Sequence, residues 1–278
     1  MSKYEDYNNV SRNYDNQRFA MGSDVMAAMM QLHCGKPLKD IHVLDAGCGT
    51  GNYAKALIEY GVGHVTLLDA SPGMLEKAKV KLADSIESGR VKEVVEATMP
   101  PIPFPDDSFD AVMFNLVLHH LDTTGSGSFS AATQSLKESV RVLRPGGIVI
   151  LSTVLPSVIS HAVWYAQINL ALTERFNKIM PTMEQFDDMF ESSHLSCKQK
   201  LNILGADLVK DYYNFEGPLD QAWRDAVSYW NFATPDELND VKRKVRDLKQ
   251  SGELEQWCKQ HDNVTTSGFL TFLFCQPK

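Results

Sequence analysis

The sequence predicts an α/β fold built on a mostly parallel sheet, and two observations support this prediction. An apolar run from Ile41 to Leu44 ends at Asp45 and is followed by glycines at positions 47, 49 and 51, which is typical of a buried strand, a tight loop and the start of a helix. Strand and helix patterns then alternate up to about residue 155. Strands separated by helices indicate parallel pairing with right-handed crossovers.

The elements of this region are predicted from apolar patterns and from the residues that begin and end them. A helix from Asp24 to about His33, with Ser23 or Asp24 as its N-cap, is ended by Gly35 and Pro37. The units that follow are strand 41–45, helix 52–60, strand 64–68, helix 72–83, strand 91–96, strand 110–115, helix 128–143 and strand 148–154.

Beyond Pro156 the pattern changes to mostly helices. Strands are predicted from Cys197 to Leu204 and from Gly268 to Cys275, and Thr234 to Glu237 forms a capping box at the start of a helix. The largely apolar run 148–172 is interrupted by Pro156 and by polar residues. We therefore interpret it as a strand followed by a buried helix and not as a membrane span.

Composition and charge exclude several classes of function. The 278 residues carry a net charge of −8, which argues against a nucleic-acid partner because such binding depends on Lys and Arg neutralising phosphates. The five cysteines are scattered and form no Cys-x-x-Cys pair, which favours a reduced, cytoplasmic protein without a zinc site. The polar, acidic start of the chain is not typical of a signal or transit peptide.

A second apolar strand supplies an acid that suits a nucleoside ligand. This strand, His64 to Leu68, ends at Asp69, roughly 20 residues beyond the glycine loop, the separation at which an acid reaches ribose hydroxyls. Ser71 and Pro72 follow as the expected N-cap and first residue of a helix. The loop matches neither a P-loop nor the Gly-x-Gly-x-x-Gly fingerprint.

Four motifs occur in a fixed order between Val43 and Gly147. They are Asp45-x-Gly-x-Gly-x-Gly, Asp69-Ala70-Ser71-Pro72-x-Met74-Leu75, Pro103-Phe104-x-Asp106-x-Ser108-Phe109-Asp110 and Leu143-Arg144-Pro145-Gly146-Gly147. Together they resemble the motifs of class I S-adenosylmethionine (SAM) methyltransferases. The resemblance implies a Rossmann-like, mostly parallel seven-stranded sheet with an antiparallel last strand and a helical cap, and it implies SAM as cofactor with S-adenosylhomocysteine (SAH) as product.

The same resemblance implies a domain organisation and a class of partner. We expect an N-terminal lid and helix at 1–40, a SAM-binding Rossmann-like core at 41–155, and a helical cap or acceptor region at 156–278 whose final two strands complete the sheet. The expected partner is a small-molecule acceptor, with no nucleic acid, no membrane and no metal, and the protein is expected to be a monomer or a homodimer.

The resemblance also assigns the SAM contacts residue by residue. The glycines approach the methionine half, Asp45 holds the loop or the amino group, and Asp69 takes the ribose hydroxyls. Tyr14 and Arg18 belong to a lead-in that either folds over SAM or is a frayed polar terminus, and Cys48 is expected to be a small spacer. The full set placed against SAM is Tyr14, Arg18, Asp45, Gly47, Cys48, Gly49, Asp69, Ala70, Met74, Ala97, Thr98 and Asn115.

A narrower resemblance concerns the methyl acceptor. The segment from Trp223 to Leu238, which contains Asn231-Phe232-Ala233-Thr234-Pro235-Asp236-Glu237, and the segment from Leu270 to Phe274 resemble the histamine N-methyltransferase family. The likeness implies N-methylation of a small amine, although Gly268 replaces that family's asparagine, which speaks against histamine itself. It places Asp24 and Asn115 at acceptor-contacting positions. The full set of expected acceptor contacts is Asp24, Asn115, His119, Trp164 and Trp230, and the catalytic candidates are Asp24, Asn115 and His120.

Several alternatives remain open. His119 and His120 either include a general base or only pack, and the aromatic residues of the cap either form its core or line a pocket. O-methylation of a small carboxylate or hydroxyl predicts a cationic clamp at Arg175 or Arg224. A non-catalytic SAM-binding or partner-binding protein is the third hypothesis. No Asn-Pro-Pro-Tyr follows the fourth strand, which argues against methylation of nucleic-acid bases.

Overall fold

A computed structural model describes residues 19–121, 128–204, 211–225 and 227–278. The chain divides into two compact units. Unit 1 comprises Met1–Thr153, Met183–Leu201 and Phe272–Lys278, and unit 2 comprises Val154–Thr182 and Asn202–Thr271.

In the described part of the chain, seven strands form one sheet in the order β3-β2-β1-β4-β5-β7-β6. The first five strands pair in parallel, and the last strands are antiparallel. The fold class predicted from the sequence is therefore confirmed. The strands are β1 (His42–Ala46), β2 (His64–Asp69), β3 (Val91–Glu96), β4 (Phe109–Asn115), β5 (Leu143–Thr153), β6 (Leu195–Ile203) and β7 (Leu270–Pro277).

Helices connect most of the strands in unit 1 and are the main regular secondary structure of unit 2. Those of unit 2 are α6, α7 and α9 to α12. In chain order the helices are α1 (Ser23–Cys34), α2 (Asn52–Glu59), α3 (Pro72–Lys81), α4 (Ala83–Glu87), α5 (Ser130–Val142), α6 (Pro156–Ala162), α7 (Leu170–Asn177), α8 (Met183–Ser192), α9 (Gln221–Asp225), α10 (Pro235–Ser251), α11 (Leu254–Gln260) and α12 (Val264–Ser267).

The caps of two helices agree with the sequence and that of a third does not. The Ser71 side chain caps α3 by accepting the Met74 N–H at 3.3 Å, and Thr234 forms the predicted capping box at the start of α10. The expectation that Ser23 or Asp24 caps α1 is wrong. Gly22 is the N-cap, and its left-handed backbone, with φ of 69°, already places Ser23 inside the helix.

Strand β5 begins five residues earlier than the sequence predicts. It starts at Leu143 instead of at residue 148 because Leu143 pairs with Phe109, and the register then shifts between Phe109 and Ala111. This irregularity places the Pro-Gly-Gly segment inside the strand as a bulge. A Cβ at Gly147 would lie 2.9 Å from the Asp110 carbonyl oxygen, so glycine is needed where the strands approach.

The core of unit 2 is a cluster of aromatic rings. Trp164 is fully buried, and its ring contacts Tyr165, Phe215 and Trp223 at centroid distances of 5.6, 5.4 and 6.1 Å. The contacts with Tyr165 and Phe215 are edge-to-face, a geometry that stabilises a core beyond the area it buries. Across the described ranges, no helix is long and apolar enough to cross a membrane.

Candidate functional site

The strand order of unit 1 reverses direction between β1 and β4. The chain runs outward from β1 through β2 to β3, and then returns to place β4 on the other side of β1. In open α/β sheets, ligands bind outside the carboxyl ends of the strands at such a reversal. We therefore expect a ligand site at the carboxyl ends of β1 and β4.

The glycine loop that follows β1 is held tightly against its neighbours. The backbone N–H groups of Gly47 and Cys48 both donate to the Leu68 carbonyl oxygen, at 2.7 and 3.0 Å. Gly47 has φ of +80°, and a Cβ there would lie 2.5 Å from Val117 Cγ2. Glycine is therefore required at this position both by the backbone and by the space.

Helix α3 fastens the far end of this loop. Lys81 Nζ donates to Thr50 Oγ1 at 3.0 Å and also to Asn52 Oδ1. Cys48 is buried, and burial together with the charge of Asp45 raises the pKa of its thiol well above the ordinary value. A neutral buried thiol fits the expected role of Cys48 as a spacer.

Two polar side chains at this edge are buried and unpaired. Asp45 is 1% exposed, and neither of its carboxyl oxygens has a hydrogen-bond partner among the described residues. The same holds for both amide atoms of Asn115. Burial, and next the charge of Asp69, raise the pKa of Asp45 to about 7, while the nearby Asn115 side chain and Ala54 backbone N–H lower it in part.

Asp69 is positioned by backbone groups on both sides. Its carboxylate accepts the Gly49 N–H and the Ser71 N–H, each at 2.8 Å. Its backbone carbonyl accepts the Ala97 N–H at 3.1 Å, which joins the ends of β2 and β3. Burial raises the pKa of Asp69, and the hydrogen bonds from Ser71 and Gly49 lower it in part. Each carboxylate oxygen retains a lone pair for a ligand.

The remaining residues predicted to contact SAM differ in how far they are buried. Met74 is buried, Ala70 and Ala97 are half-buried, and Thr98, which lies just beyond the end of β3, is exposed. Tyr14 and Arg18, which the sequence placed over SAM, lie outside the residues that the structure describes.

The candidates for the acceptor side in unit 1 lie on two elements. Asp24 is exposed in the first turn of α1. His119 is buried and His120 half-buried in a short 3₁₀ helix just beyond β4, with ring centroids 3.9 Å apart. The structure therefore brings the two histidines together, and they follow Asn115 along the chain.

The two tryptophans proposed for the acceptor lie in unit 2 and differ in their polar contacts. The Trp164 indole N–H donates to the Tyr212 carbonyl oxygen at 3.1 Å. Trp230 is 6% exposed, and its indole N–H has no partner among the described residues. An indole N–H can only donate, so Trp230 is the one of this pair whose hydrogen-bonding capacity is unused.

Sequence reasoning missed Ser152. This residue lies near the carboxyl end of β5, pairs with Asn115 across the sheet, is 3% exposed, and has a hydroxyl without a partner in the described ranges. Only its position, as a polar residue at the end of an otherwise apolar strand, signals it in the sequence.

Comparison with known proteins supports the family assigned from the motifs. Residues 44–151 match the family described as "Methyltransferase domain". An uncharacterized methyltransferase, YodH, of Bacillus subtilis is 40% identical over 114 residues, which are 41% of this chain and 43% of YodH. A demethylmenaquinone methyltransferase of Clavibacter sepedonicus is 34% identical over 147 residues, 52% of this chain and 55% of that protein.

A solved structure extends the likeness over most of the chain at the level of the fold. The crystal structure of a putative methyltransferase from an antibiotic biosynthesis pathway of Anabaena variabilis superposes with a TM-score of 0.69 at 21% identity, covering 91% of this chain and 97% of that one. The chain spans about half the length of the curated relatives it matches. Residues 44–151 therefore match a methyltransferase domain, and the seven-stranded sheet agrees with the Rossmann-like fold of solved methyltransferases.

Proposed function

We propose that this protein is a SAM-dependent methyltransferase acting on a small molecule. The observation that carries the proposal is a pair of buried polar side chains, Asp45 and Asn115, which have no hydrogen-bond partner within the described part of the chain. They lie beside a glycine loop that leaves no room for a Cβ at Gly47. Buried polar groups in native proteins are paired. This unpaired carboxyl and amide therefore favour a ligand with a hydrogen-bonding, cationic end.

The residues present fit SAM. Asp45 and Asn115 would hold the ammonium of its methionine end, and Asp69 would accept hydrogen bonds from the ribose hydroxyls. When bound, SAM supplies a methyl group that is already electrophilic because it is attached to a sulfonium. The tasks left to this chain are to align the acceptor with the methyl group and to exclude water.

The finer proposal is N-methylation of a small amine. Asp24 would orient the acceptor, Asn115 would hydrogen-bond to it, and His120 is the candidate base, since the attacking nitrogen must be unprotonated. The two arginines expected to clamp a carboxylate are already engaged. Arg175 pairs with Glu237 at 2.5 Å, and the buried Arg224 donates to the Pro218 carbonyl at 2.8 Å.

O-methylation of a hydroxyl is the second candidate. This reaction needs a donor for the acceptor oxygen, and within unit 2 the buried Trp230 N–H, which can only donate, has no partner among the described residues. The carboxylate form of this hypothesis has less support, because it depends on Arg175 or Arg224 being available.

The test offers the purified protein and SAM to panels of amines, phenols and carboxylic acids, and measures release of SAH. Turnover of amines supports the proposal, whereas turnover restricted to phenols or acids contradicts the N-methylation part of it. SAH binding by calorimetry without turnover on any panel would favour the non-catalytic alternative. Asp110→Asn is the matched control for Asp45→Asn in this assay, because Asp110 is buried in the same unit as Asp45 but is fully paired.

The expected setting follows from the cysteines and the charge. All five cysteines are free, which fits a reducing compartment, so we place the protein in the cytoplasm. The net charge of −8 supports a small-molecule acceptor and argues against nucleic acid. A monomer or a homodimer remains the expected state.

A further inference from the structure

Ser152 and Asn115 lie side by side on one face of the sheet. They are register partners in the parallel pair of β4 and β5, so their Cα atoms are about 4.8 Å apart and their side chains point the same way. Leu116 has φ of 53°, and its N–H donates to the Ser152 carbonyl at 2.9 Å. This bond fixes the two strand ends where the chain turns away.

Asp45 extends the pair into a row. It is the register partner of Met113, two residues before Asn115 on β4, and side chains two residues apart in a strand share a face. Across β1, β4 and β5 the row therefore presents a carboxyl, an amide and a hydroxyl. All three residues have buried polar atoms without a partner among the described residues.

Three neighbouring unpaired groups are costly to the fold unless a ligand pairs with them. A buried polar group without a partner loses its hydration and gains no hydrogen bond in return. The row begins next to Asp69 at the end of β2 and ends with Ser152 on β5. If the nucleoside lies at Asp69 and the methionine end at Asp45 and Asn115, then Ser152 is the group beyond the donor.

We propose that Ser152 binds the methyl acceptor, next to the position that the transferred methyl group occupies. The inference rests on the proposed function and adds a residue to it. The oxygens of Ser152 and Asn115 would accept a hydrogen bond from an N–H or O–H of the acceptor. The lone pair of the attacking nitrogen or oxygen would then stay free to face the methyl group. The acceptor therefore places a polar nitrogen or oxygen at this point.

Two donor-site ligands test this without knowledge of the acceptor. SAH lacks a group at the methyl position, whereas sinefungin carries an amine there. Calorimetry would compare both ligands on the wild type, on Ser152→Ala and on a matched control, Ser135→Ala. Ser135 is also fully buried, and its hydroxyl has no partner in the described ranges, but it lies on α5.

The wild type and Ser135→Ala should bind sinefungin about tenfold more tightly than SAH, because a hydrogen bond to a charged group is among the strong ones. Ser152→Ala should lose this preference while its SAH affinity stays unchanged. Its melting temperature should stay equal or rise, since the substitution removes only an unpaired hydroxyl.

Three results would overturn the inference. The wild type could show no preference for sinefungin, or Ser152→Ala could keep the preference. Ser152→Ala could also lose affinity for both ligands equally, which would assign Ser152 to the donor site. A wild type that binds neither ligand would instead remove the proposed function, and the inference with it.

Discussion

Two buried aspartates occupy opposite ends of the sheet in unit 1 and differ in every contact. Asp110, near the amino end of β4, is 2% exposed and accepts hydrogen bonds from Lys36 at 2.5 Å, the His42 N–H at 2.9 Å and Arg144 at 3.0 Å. Asp45, near the carboxyl end of β1, is 1% exposed and accepts none from the described residues.

The pKa values of the two carboxyls follow these contacts. Burial alone would raise the pKa of Asp110, but the hydrogen bonds from Lys36 and His42 and the charge of Arg144 outweigh it, so the pKa is lowered. For Asp45 burial dominates, and the pKa rises to about 7. One carboxylate therefore stabilises the fold, and the other is kept at a cost to the fold, as is typical of a functional site.

The largest expected effect is the loss of SAH affinity in the variant Asp45→Asn. Removing the carboxylate takes away the partner of a bound ammonium, so we expect the Kd for SAH, measured by calorimetry, to rise about 100-fold. The unfolding free energy should stay equal or increase, because a buried unpaired carboxyl is replaced by a neutral amide of the same shape. An unchanged Kd would show that the buried carboxyl does not face the ligand.

The reciprocal variant, Asp110→Asn, should act on stability and not on binding. The substitution removes the charge that Lys36 and Arg144 neutralise and weakens the bond to the His42 N–H. Since both cationic side chains are about two-fifths exposed, we expect a loss of about 2 kcal/mol, below the value for a fully buried pair. Denaturant unfolding would measure this loss. A change in SAH affinity equal to that of Asp45→Asn would remove the contrast between the two ends.

The titration of Asp45 should link SAH binding to pH. Its pKa of about 7 in the free protein means that it is mostly protonated below pH 7, whereas a bound ammonium would favour the carboxylate. Binding then releases a proton, so affinity should fall about tenfold from pH 8 to pH 6. Calorimetry in buffers of different ionisation enthalpy would detect that proton. Asp45→Asn should bind without the pH dependence, and a wild type with equal affinity at both values would contradict the linkage.

The sequence predicts the backbone geometry of the glycine loop and of the Ser71 cap because its signals there are local. The glycine loop, Asp69 and the Ser71 cap lie within a short stretch, and each reflects a backbone need that can be read from neighbouring residues. The order of strands and helices follows from apolar periodicity in the same way. The predicted element boundaries are wrong at two places. At α1 the left-handed backbone of Gly22 sets the N-cap, whatever side chains follow, and at β5 a bulge extends the strand.

The features that the sequence does not predict depend on contacts between residues distant in the chain. Asp110 is part of a motif, yet its partners Lys36 and Arg144 are 74 and 34 residues away, so its structural role is invisible to local patterns. Ser152 gains meaning only through its register with Asn115. Pairing between strands fixes both, and a single sequence does not reveal which register is adopted.

The smallest expected effect concerns His42, beside Asp110. Burial, and next the charge of Arg144, lower the pKa of His42 to about 4, and its ring nitrogen Nε2 shares a hydrogen bond with Thr66 Oγ1 at 2.9 Å. In the unfolded chain a histidine takes up a proton near pH 6.5. The unfolded state therefore binds more protons between pH 6.5 and pH 4, so this contribution to stability is complete above pH 6.5 and is lost as the pH falls.

From pH 7 to pH 5.5 we expect His42 to account for a loss of about 1 kcal/mol. His42→Gln keeps a polar side chain opposite Thr66 but does not titrate, so the variant should lose less stability over this range than the wild type does. Asp45 acts in the opposite sense, because its raised pKa makes the free protein less stable as the pH rises from about 4 through 7. Unfolding measured across this range for His42→Gln and Asp45→Asn would therefore separate the two ends of the sheet. Identical pH profiles for the two variants would contradict the contrast between a carboxyl end kept for a ligand and an amino end built for stability.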